Sequence, residues 1–282
     1  MNGSPQTDRG RSSSYRMGIK GGIFSSPEHD FWPLIRSLPT TKTLLVDAGL
    51  GSIDHGQFPG QTMQAHDWAD LMDLAVLIGG GNPSLNGDLP FSSQHHASVL
   101  QDMGGIDPTE NVETILIRGW GIRAILEWHC QGLPEWAGKD NTTAFHHFQN
   151  TLLIRLLRQI FRASLRNIHV WTTFPLKSST ETAGSNSRPF PDLPEGTVHE
   201  LMCVTDLVLS MAEVWKDGSP QTALITDHHN AWGYPAKASG ALGLDPMEPT
   251  DIAALTRKVM ASVRNVGQTE PMKGRYSMNS NG

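Results

Sequence analysis

The sequence has few cysteines, no long apolar run and no excess of basic residues, and each shortage excludes a class of protein. Two cysteines among 282 residues, Cys130 and Cys203, are too few for a disulfide framework and form no Cys-x-x-Cys pair. No apolar run approaches the roughly 20 residues of a membrane helix, so no membrane span is predicted. With 22 Lys and Arg against 28 Asp and Glu, the net charge of -6 argues against a nucleic-acid partner.

Both ends of the chain lack the apolar patterning of a folded core. Residues 1–26 are rich in Ser, Gly and Arg and contain no apolar segment of the signal-peptide type, so they are predicted to form a flexible N-terminal arm. Residues 268–282 are predicted to form a flexible C-terminal tail. Residues 27–267 are predicted to form a single α/β domain. Without a leader or a membrane segment, a cytoplasmic location is expected.

Short apolar runs alternate with helical patterns between these ends. Apolar runs that predict buried strands occupy residues 43–49, 74–81, 112–121, 168–176 and 223–227. Helices are predicted over residues 61–72, 96–103, 145–165, 199–215 and 250–264, and apolar spacings of three and four are clearest in 145–165. This alternation indicates a three-layer α/β/α sandwich with a mostly parallel, doubly wound sheet covered by helices on both faces.

Glycines and polar residues cluster where the predicted strands end. The stretches 47–52, 79–82, 119–121 and 227–230 each follow or end a predicted strand. In open parallel sheets, ligands bind outside the carboxyl ends of the strands. The sequence therefore predicts a functional site at this edge of the sheet.

These strand ends contain the parts of a serine nucleophile site. Ser52 follows the first predicted strand, and the adjacent His228 and His229, beside Asp227, follow the last. A serine hydroxyl needs a base within hydrogen-bond reach, and the base needs an acid to orient it. Backbone N–H groups in a glycine-rich turn and an asparagine amide can hold an oxyanion. The candidates for that role are Gly51, Gly80, Gly81 and Asn82.

The order of these elements resembles that of the SGNH/GDSL hydrolase superfamily, including its PC-esterase branch. The segments FQNTLLIRLLR (148–158) and IHVWTTFPL (168–176) are similar to a helix and the following strand of that family, and DHHNAWGY (227–234) is similar to its ending. The resemblance implies a flavodoxin-like sheet and an esterase or acyltransferase that acts on a small-molecule or glycan ester without a cofactor. It assigns Ser52 as the nucleophile, Asp227 as the orienting acid and His228 or His229 as the base. Gly80 and Asn82 become the oxyanion donors.

Two motifs depart from the family pattern. The family's Gly-Asp-Ser is here Gly51-Ser52, and its Asp-x-x-His is compressed to Asp227-His228 or Asp227-x-His229. A second hypothesis follows from these departures. The chain is then a catalytically inactive relative with the same fold, which serves as an interaction or structural protein with a protein partner.

Two further hypotheses concern a cofactor and a metal. VDAGLGS (46–52) resembles the first motif of S-adenosylmethionine-dependent methyltransferases, in which glycines let the backbone approach the cofactor. The next predicted strand, 74–81, ends without the acid that would hold a ribose hydroxyl, which argues against this hypothesis. The twelve histidines suggest zinc, but none form a His-x-x-x-His or His-Glu-x-x-His motif on a convincing helix, so no metal ligand is assigned.

Overall fold

The computed structural model describes residues 17–26, 29–49, 58–137, 142–177, 189–194, 196–216, 218–230, 233–238 and 242–266. Within these residues, nine strands form one mixed sheet. The strands are β1 (Lys20–Ser25), β2 (Thr43–Asp47), β3 (Gln61–Gln64), β4 (Thr114–Arg118), β5 (His169–Lys177), β6 (Phe190–Pro191), β7 (Leu207–Lys216), β8 (Ser219–Ile225) and β9 (Met247–Pro249). The predicted tail, 268–282, lies outside the described residues.

The strand order is β3-β2-β4-β5-β1-β7-β8-β9, and β6 pairs with the end of β5. The six strands from β3 to β7 run parallel to one another. Strand β8 runs antiparallel to β7, and β9 runs antiparallel to β8. In a flavodoxin-like sheet, the strands lie in the order 2-1-3-4-5, counted along the chain. If β2 is counted as the first strand, the neighbours β3-β2-β4-β5 match the 2-1-3-4 part of this order. Strand β1 then lies between β5 and β7.

Seven α-helices cover the sheet within the described residues, which confirms the predicted three-layer α/β/α sandwich. The helices are α1 (Trp32–Arg36), α2 (Trp68–Gly79), α3 (Ser93–Asp102), α4 (Ile122–Gln131), α5 (Thr143–Phe161), α6 (Thr197–Val204) and α7 (Ile252–Val266). The apolar side chains of α2 to α6 pack in one core cluster. Those of α1 and α7 pack in a second. Alternate strand residues divide between the clusters, as Leu44 and Leu45 do, so the two clusters lie on opposite faces of the sheet.

The domain begins earlier than predicted, because strand β1 lies within the predicted flexible arm. It pairs with β5 on one side and β7 on the other, so it is a central strand. The two glycines of β1 obscure its strand pattern in the sequence, but the packing of the core requires Gly21. A Cβ atom at Gly21 would lie 2.2 Å from Cε3 of the fully buried Trp171, so the indole occupies the space that a side chain would need.

The predicted strand 74–81 is wrong, because residues 68–79 form helix α2. Seven of its twelve residues are buried, so it shows little of the polar face that identifies a surface helix in sequence. The predicted helix 61–72 is correspondingly β3 followed by the start of α2. Asp67 begins the helix, since its side chain accepts a hydrogen bond from the Asp70 backbone N–H.

Two corrections concern the C-terminal third. The predicted helix 199–215 is helix α6, which ends at Val204, followed by strand β7. The predicted strand 223–227 is the end of β8, but it is antiparallel to its neighbour and not parallel as expected. Cys130 is buried, whereas Cys203, on α6, is exposed.

Strands β2 and β4 are followed by residues that pack on opposite faces of the sheet. Phe58, after β2, packs in the cluster with α1 and α7, whereas α4, after β4, packs in the other cluster. In doubly wound sheets, ligands bind at the carboxyl ends of two such neighbouring strands, which are called the switch point. Strands β2 and β4 are direct neighbours, so their carboxyl ends correspond to this switch point.

Candidate functional site

The carboxyl ends of β2 and β4 are joined by a buried ion pair. The guanidinium of Arg118 donates from Nε to Oδ1 of Asp47 and from Nη2 to Oδ2, both at 2.7 Å. The side chains are 3% exposed for Asp47 and 12% for Arg118. This two-point contact fixes the orientation of both groups. The pair therefore forms a rigid link between the ends of the two strands.

Further contacts attach this pair to the turns beside it. The backbone N–H of Gly49 donates to Oδ1 of Asp47 at 2.9 Å. The Arg118 guanidinium lies 5.8 Å from the ring centre of Trp120, whose Nε1 donates to Oγ of Ser25 at 3.1 Å. The end of β1 is thereby linked to the ends of β2 and β4.

The pair also fills the space above Gly49. A Cβ atom there would lie 2.6 Å from Arg118 Nη2 and 2.8 Å from Asp47 Oδ1. The methyltransferase hypothesis requires an open cleft over the glycines of this turn and an acid at the end of the next strand. Gly51 lies outside the described residues, and the strand that follows β2 is β3, which ends at Gln64, three residues before Asp67.

Gly51 and Ser52 lie outside the described residues. In the sequence, Ser52 follows Asp47, the last residue of β2, by five residues. The segment that carries the predicted nucleophile therefore begins at the switch point between β2 and β4.

The predicted acid and bases follow β8, far along the sheet from β2. Five strand-to-strand steps separate β2 from β8, which corresponds to roughly 24 Å at about 4.8 Å per step. Ile225 pairs with Ser210, which is in register with Phe24 near the end of β1, so the distance from β2 is lateral, across the sheet. The described residues therefore do not bring Asp227, His228 and His229 to the end of β2.

The loop with these three residues is exposed and closed on itself. The Asp227 side chain is 44% exposed and that of His228 63%. Oδ1 of Asp227 accepts a hydrogen bond from the backbone N–H of His229 at 3.0 Å and lies 3.7 Å from Nδ1 of His228. The two imidazole rings lie against each other, with centres 3.5 Å apart. The carboxylate thus shapes the turn as well as facing one ring.

Asn230 closes the loop with its side-chain amide. Nδ2 donates to the backbone oxygens of Asp227 and Tyr234, both at 2.8 Å, and Oδ1 accepts from the Tyr234 N–H at 2.9 Å. Tyr234 is half-buried, and burial raises the pKa of its hydroxyl. Asn230 is thus a structural residue that ties the two ends of the loop together.

The predicted oxyanion donors Gly80, Gly81 and Asn82 follow helix α2 and not a strand, which corrects their predicted setting. Arg166, three residues before the start of β5, donates to the carbonyl of Ile78 at this helix end. Gly80, Gly81 and Asn82 therefore lie at the amino edge of the parallel sheet, at the opposite edge from the end of β2. Its polar atoms are used locally: Gln159 Nε2 donates to the Gly80 carbonyl at 2.7 Å, and Asn82 Oδ1 accepts from the Ser84 N–H at 3.1 Å.

Sequence reasoning missed two clefts that share Trp68. The larger, of about 560 Å³, lies between α2 and α3, and the smaller, of about 380 Å³, lies between α2 and α4. The Trp68 ring stacks on that of His129 with centres 5.2 Å apart, and burial lowers the pKa of this histidine. The aromatic His-Asp-Trp sequence at 66–68 was the available signal, but it lay inside a segment predicted as helix.

No protein-family model matches the chain, and no curated protein is significantly similar to it. Within the described residues, no helix has both the length and the apolar character needed to cross a membrane. The same residues contain no group of three or more His, Cys, Asp or Glu side chains placed to share a metal ion.

Proposed function

We propose that the chain is a catalytically inactive, SGNH-like protein that functions through binding. The observation that carries this proposal is the role of Asn230. It stands three residues after Asp227, which is the position of the histidine in the Asp-x-x-His motif of the resembled family. Its amide makes three hydrogen bonds within its own loop, so the position serves the structure of the loop.

The placement of the other predicted catalytic groups supports the same proposal. The oxyanion candidates Gly80 to Asn82 lie at the amino edge of the sheet, whereas the segment with Ser52 starts at the carboxyl edge. His228 and His229 lie on an exposed loop about five strands from β2. A hydrolase needs nucleophile, base and oxyanion donors within about 3 Å of one reacting group.

The test is a rate measurement with p-nitrophenyl acetate, butyrate and octanoate on the full chain. We expect wild type, Ser52→Ala and the double variant His228→Ala/His229→Ala to hydrolyse each ester at the same background rate. Removing a true nucleophile lowers turnover by several orders of magnitude. A rate that falls more than about tenfold in Ser52→Ala would overturn the proposal.

A second candidate keeps ester hydrolysis at Ser52 but uses a different base. Its support is the position of His66, which follows β3 by two residues, and β3 is the direct neighbour of β2. The strand that leads to His66 therefore lies one strand spacing from β2, about 4.8 Å. The strand that leads to His228 lies five strand spacings from β2. In the same assay this candidate requires a loss of rate in both Ser52→Ala and His66→Ala, with His228→Ala/His229→Ala unchanged.

A further inference from the structure

The two clefts beside Trp68 both lie against helix α2, which begins four residues after the end of β3. Both are lined by Trp68 and Ala69, from the first turn of α2. The larger cleft also has apolar walls from Met72, Leu89 and Pro90. A volume of about 560 Å³ lies within the range of small-molecule sites.

The polar groups around Trp68 carry one sign of charge. Asp73 and Asp88 line the larger cleft, and Asp67 lines the smaller. None of the described residues that line either cleft is a lysine or an arginine. With a net charge of -6 on the chain, the local potential favours a positively charged ligand.

Asp73 is held in a defined position at the cleft wall. Nδ1 of His95 accepts a hydrogen bond from the Phe91 N–H at 3.0 Å, so the neutral ring carries its proton on Nε2. That nitrogen lies 2.9 Å from Oδ1 of Asp73 and donates to it. The contact uses one carboxylate oxygen, and the Asp73 side chain remains 49% exposed.

Trp68 is also fixed in place. Its ring stacks on His129 at an interplanar angle of 17°. An indole held beside carboxylates provides the two features that bind organic cations, an electron-rich ring and a compensating negative charge.

We propose that the larger cleft binds a small organic cation, an ammonium group attached to an apolar body. The ammonium lies beside Asp73 and Asp88, and the body packs against Trp68, Met72 and Leu89. The proposal is independent of whether Ser52 is catalytic, because none of these residues belongs to the predicted serine site.

The test is isothermal titration of the full chain with phenethylammonium and with phenethyl alcohol, its neutral counterpart. We expect the ammonium to bind at least about tenfold more tightly than the alcohol, and the difference to shrink at 1 M salt as the charges are screened. Equal affinity for the two compounds, or no binding of either, overturns the proposal.

Variants locate the site and separate binding from folding. Asp88→Asn and Asp73→Asn are each expected to weaken phenethylammonium binding about tenfold. Asp102→Asn is the matched control, because Asp102 is an exposed acid at the end of α3 outside the cleft. Thermal melting of each variant confirms folding, and Asp88 is exposed, so its replacement leaves the fold intact. An equal effect of Asp102→Asn and Asp88→Asn would contradict the assignment.

Discussion

Asp47 and Arg118 end two adjacent parallel strands and meet in a buried, two-point ion pair. The pair lies at the switch point of the sheet, between the carboxyl ends of β2 and β4. It therefore forms a strong link between two strands. Its energetic importance can be measured directly.

Replacing Asp47 with Asn should destabilise the fold strongly. The substitution keeps the shape but removes the charge that offsets the buried guanidinium, which costs about 3 kcal/mol or more in comparable pairs. The free energy of unfolding in urea measures the loss. Glu113→Gln is the control, because the Lys42–Glu113 pair is exposed and its removal should cost less than about 0.5 kcal/mol. Similar losses in both variants would contradict the role given to the buried pair.

Adding a methyl group at Gly21 should also destabilise the protein. The Cβ atom of Gly21→Ala would overlap the Trp171 indole at 2.2 Å, and overpacking of this kind typically costs about 1–3 kcal/mol. Urea denaturation gives the value. Gly132→Ala is the matched control, since Gly132 has φ of -72° and its nearest neighbour would be 3.4 Å away. We expect this control to change stability by less than about 0.5 kcal/mol.

Asn230→Ala should loosen the loop after β8. Loss of three partly buried hydrogen bonds is expected to destabilise the loop by about 1–2 kcal/mol. Amide hydrogen exchange at Tyr234 should become faster, because its N–H donates to Oδ1 of Asn230. His229→Ala retains that bond and should leave the exchange rate unchanged. Unchanged exchange in Asn230→Ala would argue against the structural role of the amide.

Stability should decrease as the pH falls below about 6.5, with a contribution from His169. Burial lowers the pKa of this histidine, partly opposed by Glu113, and its Nδ1 accepts the Ile19 N–H at 3.0 Å. Between the ordinary pKa of about 6.5 and the lower folded value, the unfolded chain binds more protons, so acid favours unfolding. His129, whose pKa burial also lowers, acts in the same direction.

The free energy of unfolding measured from pH 7.5 to 5 tests this contribution. In His169→Asn, whose side-chain oxygen can replace Nδ1 as the acceptor, the decrease should be smaller than in wild type. The exposed His147 offers the control variant His147→Asn, for which we expect the wild-type profile. A profile that is the same in wild type and His169→Asn would contradict the assignment.

The parts of the fold that could be predicted are those whose burial pattern is unambiguous. Strands β2 and β5 are mostly apolar and buried along almost their whole length, and α5 has apolar residues at spacings of three and four, so the sequence predicts all three. The sequence of helix α2 predicts a strand because most of its residues are buried, so its polar face is small. Strand β1 was missed because Gly21 serves packing against Trp171, which is distant in sequence.

The candidate site could be predicted only in part, because strand direction depends on tertiary pairing. The end of β2 was located correctly at the carboxyl edge of the sheet. The direction of β8 was not predicted, since nothing in residues 223–227 distinguishes a parallel strand from the return strand of a hairpin. The Asp47–Arg118 pair joins positions 71 residues apart and has no local signal.

Covalent labelling with a fluorophosphonate probe, read by intact mass, tests the central claim most directly. The account predicts no mass addition to the wild-type chain under conditions that fully label an active serine hydrolase in the same tube. One addition per chain that is lost in Ser52→Ala would contradict it and would establish Ser52 as a nucleophile. The additional variants His66→Ala and His228→Ala/His229→Ala would then identify its base.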